Sequence, residues 1–408
     1  MPKIFFDNHN FRAYLVYRAL GAVGGGLFSI TMIWIMHSSF QSPFYTGLAG
    51  FMFVVTGAAS FIIGPYVDKR NKAVLIRVLS FVQLCIMGIL LGVYVFFSIQ
   101  PWVLLLAILL YDAAATVKAP ASTAILPSIV KSDDLVNANV TLQTTSTAVA
   151  LGVGVFLFSA MDYIGFDTIL IAIVAAFAIA VIASLFIKSG EPEYKPDETK
   201  NYFTELKIGF AFIKKGVMSH LILVLLFISM VANIVSVNLP MFAEMHVGAS
   251  GYILLMLISG VGAMIGPYIA KQVESKLTLF NVFVIGFILT GIMRIVFVHV
   301  IADNFSRAIG IYILYVAIGS AIGVFIQTLM QKLPPKNIIA RVNAIRISII
   351  SIVAAIGALL GGVLGTVVDD VDTIFIIQGV LYIVFAAGIC FSKHLRRLPK
   401  VGDVEGFE

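Results

Sequence analysis

"TGLAGFMFVVTGAASFIIGPYVDKRNK" occupies residues 46–72, and "ASGYILLMLISGVGAMIGPYIAKQVESK" occupies residues 249–276. Both are apolar blocks carrying Gly-Pro-Tyr near their ends, at 64–66 and 266–268, an offset of 266 − 64 = 202 residues. A second pair keeps nearly the same offset: "LVNANVTLQTTST" (135–147) against "RVNAIRISIISIV" (341–353), with 341 − 135 = 206. The first pair is the second apolar block in each set of six, and the second pair opens the fifth. The chain therefore reads as two related halves. An even number of crossings returns the second half to the orientation of the first, so the halves are related by an axis along the membrane normal. The copies differ in charge: Asp68 and Arg70 in the first are Ala270 and Gln272 in the second.

Composition agrees with repeated membrane crossing. Of 408 residues, 60% are hydrophobic and 12% charged, against about 25% charged in soluble chains. Mean hydropathy is +1.03. Twelve blocks are long enough to cross a hydrocarbon core of roughly 30 Å: 11–36, 45–66, 74–97, 102–127, 138–160, 166–187, 220–245, 250–272, 278–300, 304–332, 339–368 and 372–392. Backbone that meets lipid must satisfy its own hydrogen bonds, which predicts an all-α integral membrane protein of twelve transmembrane helices in two six-helix bundles. The expected parts are a bundle at 1–187, a linker at 188–219, a bundle at 220–392 and a tail at 393–408. The first block is long and contains Arg18, so it is not read as a cleavable signal peptide. The two cysteines, Cys85 and Cys390, both fall inside predicted spans and support neither a disulfide framework nor a metal site.

The net charge of +6 has a topological explanation rather than a nucleic-acid one. The even-numbered connectors and the tail gather the bases, with Lys69, Arg70, Lys72, Lys131, Lys276 and Arg396 among them. The odd connectors hold Asp162, Asp303, Asp369, Asp370 and Asp372, and Arg307 is the base that lies near one. The positive-inside rule then places both termini and the 188–219 linker in the cytoplasm of a cell (inner or plasma) membrane protein. Within the linker, 201–215 has an apolar and a basic face, as a helix lying on the membrane surface would.

Twelve spans in two parallel halves, a long central loop, and Gly64, Asp68, Lys69, Arg70 and Lys72 after the second span resemble the major facilitator superfamily. The stretch "APASTAILPSIVKSDDLVNANVTLQTTST" (119–147) is similar to its macrolide-efflux (drug:H⁺ antiporter) branch, which also contains siderophore exporters and lysophospholipid importers. The resemblance implies a monomeric secondary transporter working by alternating access. It implies a conformational gate at Gly64, Asp68 and Arg70, where Asp68 pairs with bases at the cytoplasmic ends of neighbouring helices; Arg341 and the N-terminus of span 11 are the expected partners, and a solvated loop acid is the plainer alternative. It also implies that spans 1, 4, 7 and 10 line the cavity, and that spans 2, 5, 8 and 11 meet across the halves. The small-residue stripes Gly262/Gly266, Gly357/Gly361 and Ala148/Gly152 fit that last expectation. The glycines of "GAVGGG" (21–26) read as flexibility in span 1. Two departures weaken the antiport implication: span 5 lacks the Gly-Pro motif of drug antiporters, and span 4 reads "YDAAATVK" (111–118), where many members place an arginine.

Ionisable groups inside a bilayer are costly and point to function. Asp112 sits in mid-span 4, where burial favours the neutral carboxylic acid, so it is the first candidate for proton coupling, with Glu244 near the end of span 7 as the second. Arg18, Lys118, Asn233, Asn238 and Gln327 are the candidate substrate-cavity residues. A fixed salt bridge from Asp112 to Arg18 or Lys118 is the plainer alternative. Arg294 is expected to snorkel toward the outer end of span 9. No nucleotide-binding loop, metalloprotease motif or nucleophile–base pair occurs, so the chain reads as no enzyme, without cofactor, metal or nucleic acid, driven by a proton or substrate gradient. Two transport readings stay open: proton-coupled efflux of an amphipathic drug, from the branch resemblance, and movement of an anionic or zwitterionic metabolite such as a metallophore, or of a lysolipid, from the excess of cavity bases. A non-transporting scaffold is the third.

Overall fold

The computed structural model describes residues 8–68, 70–130, 135–160, 163–188, 202–248, 250–335 and 338–396. Lys69, Lys131 and the linker stretch 189–201 lie outside these residues. The described chain is helical throughout and divides into two compact units, residues 1–200 and 201–408.

In the first unit, span 1 is His9–Phe40 and span 3 is Lys72–Phe96. Spans 4, 5 and 6 are Pro101–Ala124, Leu135–Ala160 and Phe166–Leu185. Span 2 is broken: Pro43–Val55 passes through a 3₁₀ turn, Thr56–Ala59, into Ser60–Asp68. In the second unit, span 7 is Gly216–Ser236 followed, across a two-residue break, by Leu239–Val247. Spans 8 to 12 are Gly251–Val273, Leu279–Asp303, Phe305–Lys332, Ile339–Val367 and Val371–Phe391. Eleven of these are long and apolar enough to cross a membrane, and span 5 contains a shorter apolar stretch, Thr141–Leu157. An amphipathic helix, Tyr202–Ile213, precedes span 7.

Local chemistry sets the boundaries. Asn8, Asn71, Thr278, Asn304 and Asp370 accept from backbone amides of the first turn of spans 1, 3, 9, 10 and 12, satisfying donors that a helix start otherwise leaves open. Proline opens the helices at Pro43 and Pro101, where its missing N–H costs nothing. At the other end of span 6, Arg77 of span 3 donates to the carbonyls of Ser184 (3.1 Å) and Ile187, a cation on a helix C-terminus.

Each unit has its own packing. In the first, span 1 lies on span 6, span 3 on spans 4 and 6, and span 2 on span 4. In the second, span 8 lies on span 10, span 9 on spans 10 and 12, and span 7 on span 11. Large apolar side chains face outward along the spans, including Phe81 and Ile89 of span 3, the latter 68% exposed. A surface of that kind is covered by lipid.

The glycines do other work than the sequence predicted. A Cβ on Gly262 or Gly266 would meet Ile313, Val316, Ala317 or Ser320 of span 10. On Gly357 or Gly361 it would lie 2.5 Å from the Met230 or Ile234 carbonyl of span 7. Both stripes therefore close contacts inside the second unit. Gly24, Gly25 and Gly26 of span 1 lie against Phe177, Tyr111 and Val153, on spans 6, 4 and 5 in turn. They are a packing device, correcting their reading as a flexible segment.

Candidate functional site

The first unit holds a cavity of about 220 Å³ between spans 1, 3, 4 and 5. Its wall includes Tyr17 and Arg18 of span 1, Gln83 of span 3, Tyr111, Lys118 and Ser122 of span 4, and Ser146 of span 5. Arg18 and Lys118, expected from sequence as cavity residues, line this one cavity together. None of its described lining residues is acidic. Lys118 Nζ donates to Gln83 Oε1, and Gln83, fully buried, donates in turn from Nε2 to the Tyr111 carbonyl at 3.3 Å. Lys118 also sits 5.9 Å from the ring centres of Tyr17 and Phe177. Gln83 fixes the ammonium without neutralising it, leaving two positive groups beside two tyrosines in a low-dielectric wall.

Asp112 does not join them. Its carboxylate accepts from the Thr56 hydroxyl, and Thr56 Oγ1 lies 3.0 Å from Thr116 Oγ1. Neither predicted partner, Arg18 or Lys118, forms a described ion pair with it. Lys118 is six residues further along the same helix, roughly 120° round it, and that turn separates the two. Thr56 opens the 3₁₀ turn of span 2, and mid-helix 3₁₀ segments often mark hinges. So the one described carboxylate of mid-span 4 is bonded at the break in span 2.

The second-unit candidates are dispersed. Asn238 is buried at the break in span 7, donating to Ile234 O (2.8 Å) and Gly361 O (2.9 Å). It joins span 7 to span 11 rather than lining a cavity, which corrects the expectation. Asn233 donates to Ser229 O, one turn back on its own helix, at 2.8 Å. Gln327 and Glu244 are exposed. Beside Glu244, His246 Nε2 lies 2.7 Å from Asp372 Oδ1, tying the end of span 7 to the start of span 12. Arg294 does not snorkel. It is 2% exposed, with its guanidinium 4.4 Å from the Phe375 ring centre, 4.8 Å from Tyr315, 5.7 Å from Phe297 and 6.0 Å from Tyr312. Aromatic faces hold the charge, so the side chain has no need to reach water.

Of the gate residues, Gly64 and Asp68 lie in Ser60–Asp68, with their side-chain surroundings outside the described residues, and Arg70 follows, exposed. Arg341 opens span 11 and backs onto Gly209 of the amphipathic helix.

Gln83, Thr56 and Thr116 were not among the residues expected from the sequence. A signal for Thr56 was present: it lies 56 − 43 = 13 residues into span 2, and Asp112 lies 112 − 101 = 11 residues into span 4. The two spans run the same way, so the two residues share a depth. Gln83 carried no such mark, being one polar residue in a long apolar block.

Residues 14–346 match the Major Facilitator Superfamily. A solved nucleoside transporter, NupG, has a TM-score of 0.73 at 15% identity, covering 94% of this chain and 98% of that one. A bacterial homologue of the iron transporter ferroportin in an inward-facing state scores 0.65 at 14% identity, over 94% and 99%. A POT family transporter in complex with 5-aminolevulinic acid scores 0.70 at 14% identity, over 96% and 97%. No curated protein sequence matches. The chain belongs to the Major Facilitator Superfamily: it is a multi-pass membrane transporter and no enzyme.

Proposed function

We propose that this transporter moves a small anionic or zwitterionic metabolite, exporting it from the cytoplasm in exchange for protons. The observation that carries the reading is the first-unit cavity, where Arg18 and Lys118 stand without an acidic neighbour in the described wall. A positive site in a water-poor wall complements a carboxylate or phosphate and repels a cationic drug. That charge counts against amphipathic drug efflux, the activity implied by the branch resemblance. The similar POT family structure in complex with 5-aminolevulinic acid is consistent with a small carboxylic acid as cargo on this fold.

Asp112 is the proposed proton carrier. As a carboxylate it accepts the Thr56 hydroxyl; as an acid it gains a donor and changes its bonding to Thr56 and Thr116. Because Thr56 begins the 3₁₀ turn, the proton and the shape of span 2 are coupled through one contact. The base distribution supports cytoplasmic termini, and the protein is taken to act as a monomer on protons and its substrate alone, with no bound cofactor.

The test is to compare small acids in the spent medium of cells expressing the natural chain or Asp112→Asn. An acid enriched only by the natural chain, and whose enrichment collapses with an uncoupler, is the expected result. Exclusion of a lipophilic cation with no change in any acid would overturn the reading.

A further inference from the structure

The amphipathic helix Tyr202–Ile213 has two different sides. Leu206, Gly209 and Ile213, at helical spacing, turn toward its own unit. Leu206 and Ile213 join the second unit's core. A Cβ on Gly209 would come within 3.0 Å of Ile345 Cδ1 and 3.3 Å of Arg341 Cβ, so the helix backbone presses directly on the first turns of span 11. The other side carries Lys207, Ile208, Phe210 and Ala211, and Lys214 and Lys215 follow in the turn after the helix, all exposed. Ile208 is 50% exposed and Phe210 43%, and Lys214 Nζ lies 4.7 Å over the Phe210 ring.

Covalent geometry fixes where this side sits. Lys215 caps span 7, which begins at the next residue, Gly216, whose φ of +52° turns the chain between the two helices. Gly216 supplies a left-handed conformation that a residue with a Cβ adopts only at a cost. The helix is thereby held at the level where a membrane span leaves the hydrocarbon. Lysines interleaved with an isoleucine and a phenylalanine at that level suit a surface that is both negatively charged and apolar.

We infer that the outer side of Tyr202–Ile213 binds anionic phospholipid, with Lys207, Lys214 and Lys215 on the headgroup phosphates and Ile208 and Phe210 among the first acyl carbons. Through Gly209 the bound lipid is linked to the entry of span 11. A soluble acidic protein would complement the lysines but would not cover Ile208 and Phe210 at the membrane boundary.

The experiment uses the full chain carrying Cys85→Ser and Cys390→Ser, with an environment-sensitive fluorophore on Ala211→Cys. The protein is reconstituted into mixed phosphatidylcholine–phosphatidylglycerol vesicles in which one lipid or the other carries brominated chains. At equal mole fraction, brominated phosphatidylglycerol should quench at least about twofold more than brominated phosphatidylcholine, because each lysine favours an anionic neighbour. The excess should vanish in the Lys207→Gln/Lys214→Gln/Lys215→Gln variant and persist when the three become Arg. Equal quenching by both lipids, or by neither, would overturn the proposal. The three positions are exposed, and a second label at Cys85, restored on span 3, checks that the variant still inserts.

Discussion

Spans 5 and 11 hold matching places in the repeat read from the sequence, yet they pack differently. Gly357 and Gly361 let span 11 meet the backbone of span 7. With the repeat offset of 206, the corresponding residues of span 5 are Leu151 (357 − 206) and Val155 (361 − 206). Neither position makes the same contact: Val155 is 55% exposed and faces outward. An apolar cavity of about 360 Å³ remains between spans 1, 5 and 6, and a Cβ on Gly152 would meet nothing within 4 Å. The bases within the spans follow the same division. The first unit offers Arg18 and Lys118 to a cavity, whereas the second seals Arg294 among aromatic rings. A shared fold thus carries one unit built around a site and another built around close helix contacts.

The largest effect should come from the first-unit bases. Arg18→Gln and Lys118→Gln should each weaken substrate affinity by about 30-fold or more, the scale of removing one member of a buried charge interaction, as read by titrating transport in proteoliposomes. Retained affinity in both variants would break the contrast between the units. The close contact of spans 7 and 11 gives the next effect. Gly361→Ala places a Cβ against the Ile234 carbonyl and should cost about 1–3 kcal/mol, measured by unfolding in detergent. Arg294→Met should be milder. Loss of the charge removes cation–π attraction but also a desolvation cost, so stability should change by less than about 2 kcal/mol. Transport in this variant should stay close to the natural rate, and its loss would show that the aromatic cage is a working site. Smallest of all, Gly152→Ala projects into open space and should leave stability unchanged or raise it by up to ~1 kcal/mol; a loss matching that of Gly361→Ala would erase the difference between spans 5 and 11.

How far the sequence reached depended on what each residue's position could specify. Span number and the nearness of Arg18 to Lys118 were legible because apolar length and depth along a helix are properties of the chain itself. Azimuth relative to a neighbour is not. Asp112 and Lys118 share span 4, but only packing shows that one faces Thr56 of span 2 and the other Gln83 of span 3. The stripe at Gly262 and Gly266 announced a close contact without saying with what; span 10 takes it. Arg294 misled for a related reason. Snorkelling follows from a charge near a helix end, but Tyr315 and Phe375 come from spans 10 and 12, which local reasoning could not bring to it.

On the proposed reading the first-unit cavity recognises negative charge. The most direct test is electrical recording from reconstituted protein on a solid-supported membrane, with a panel of small carboxylates and phosphates set against lipophilic cations. Currents evoked by at least one anion, abolished in Lys118→Gln and retained in Arg294→Met, are the expected result. Currents evoked only by the cations, and unchanged in Lys118→Gln, would contradict it.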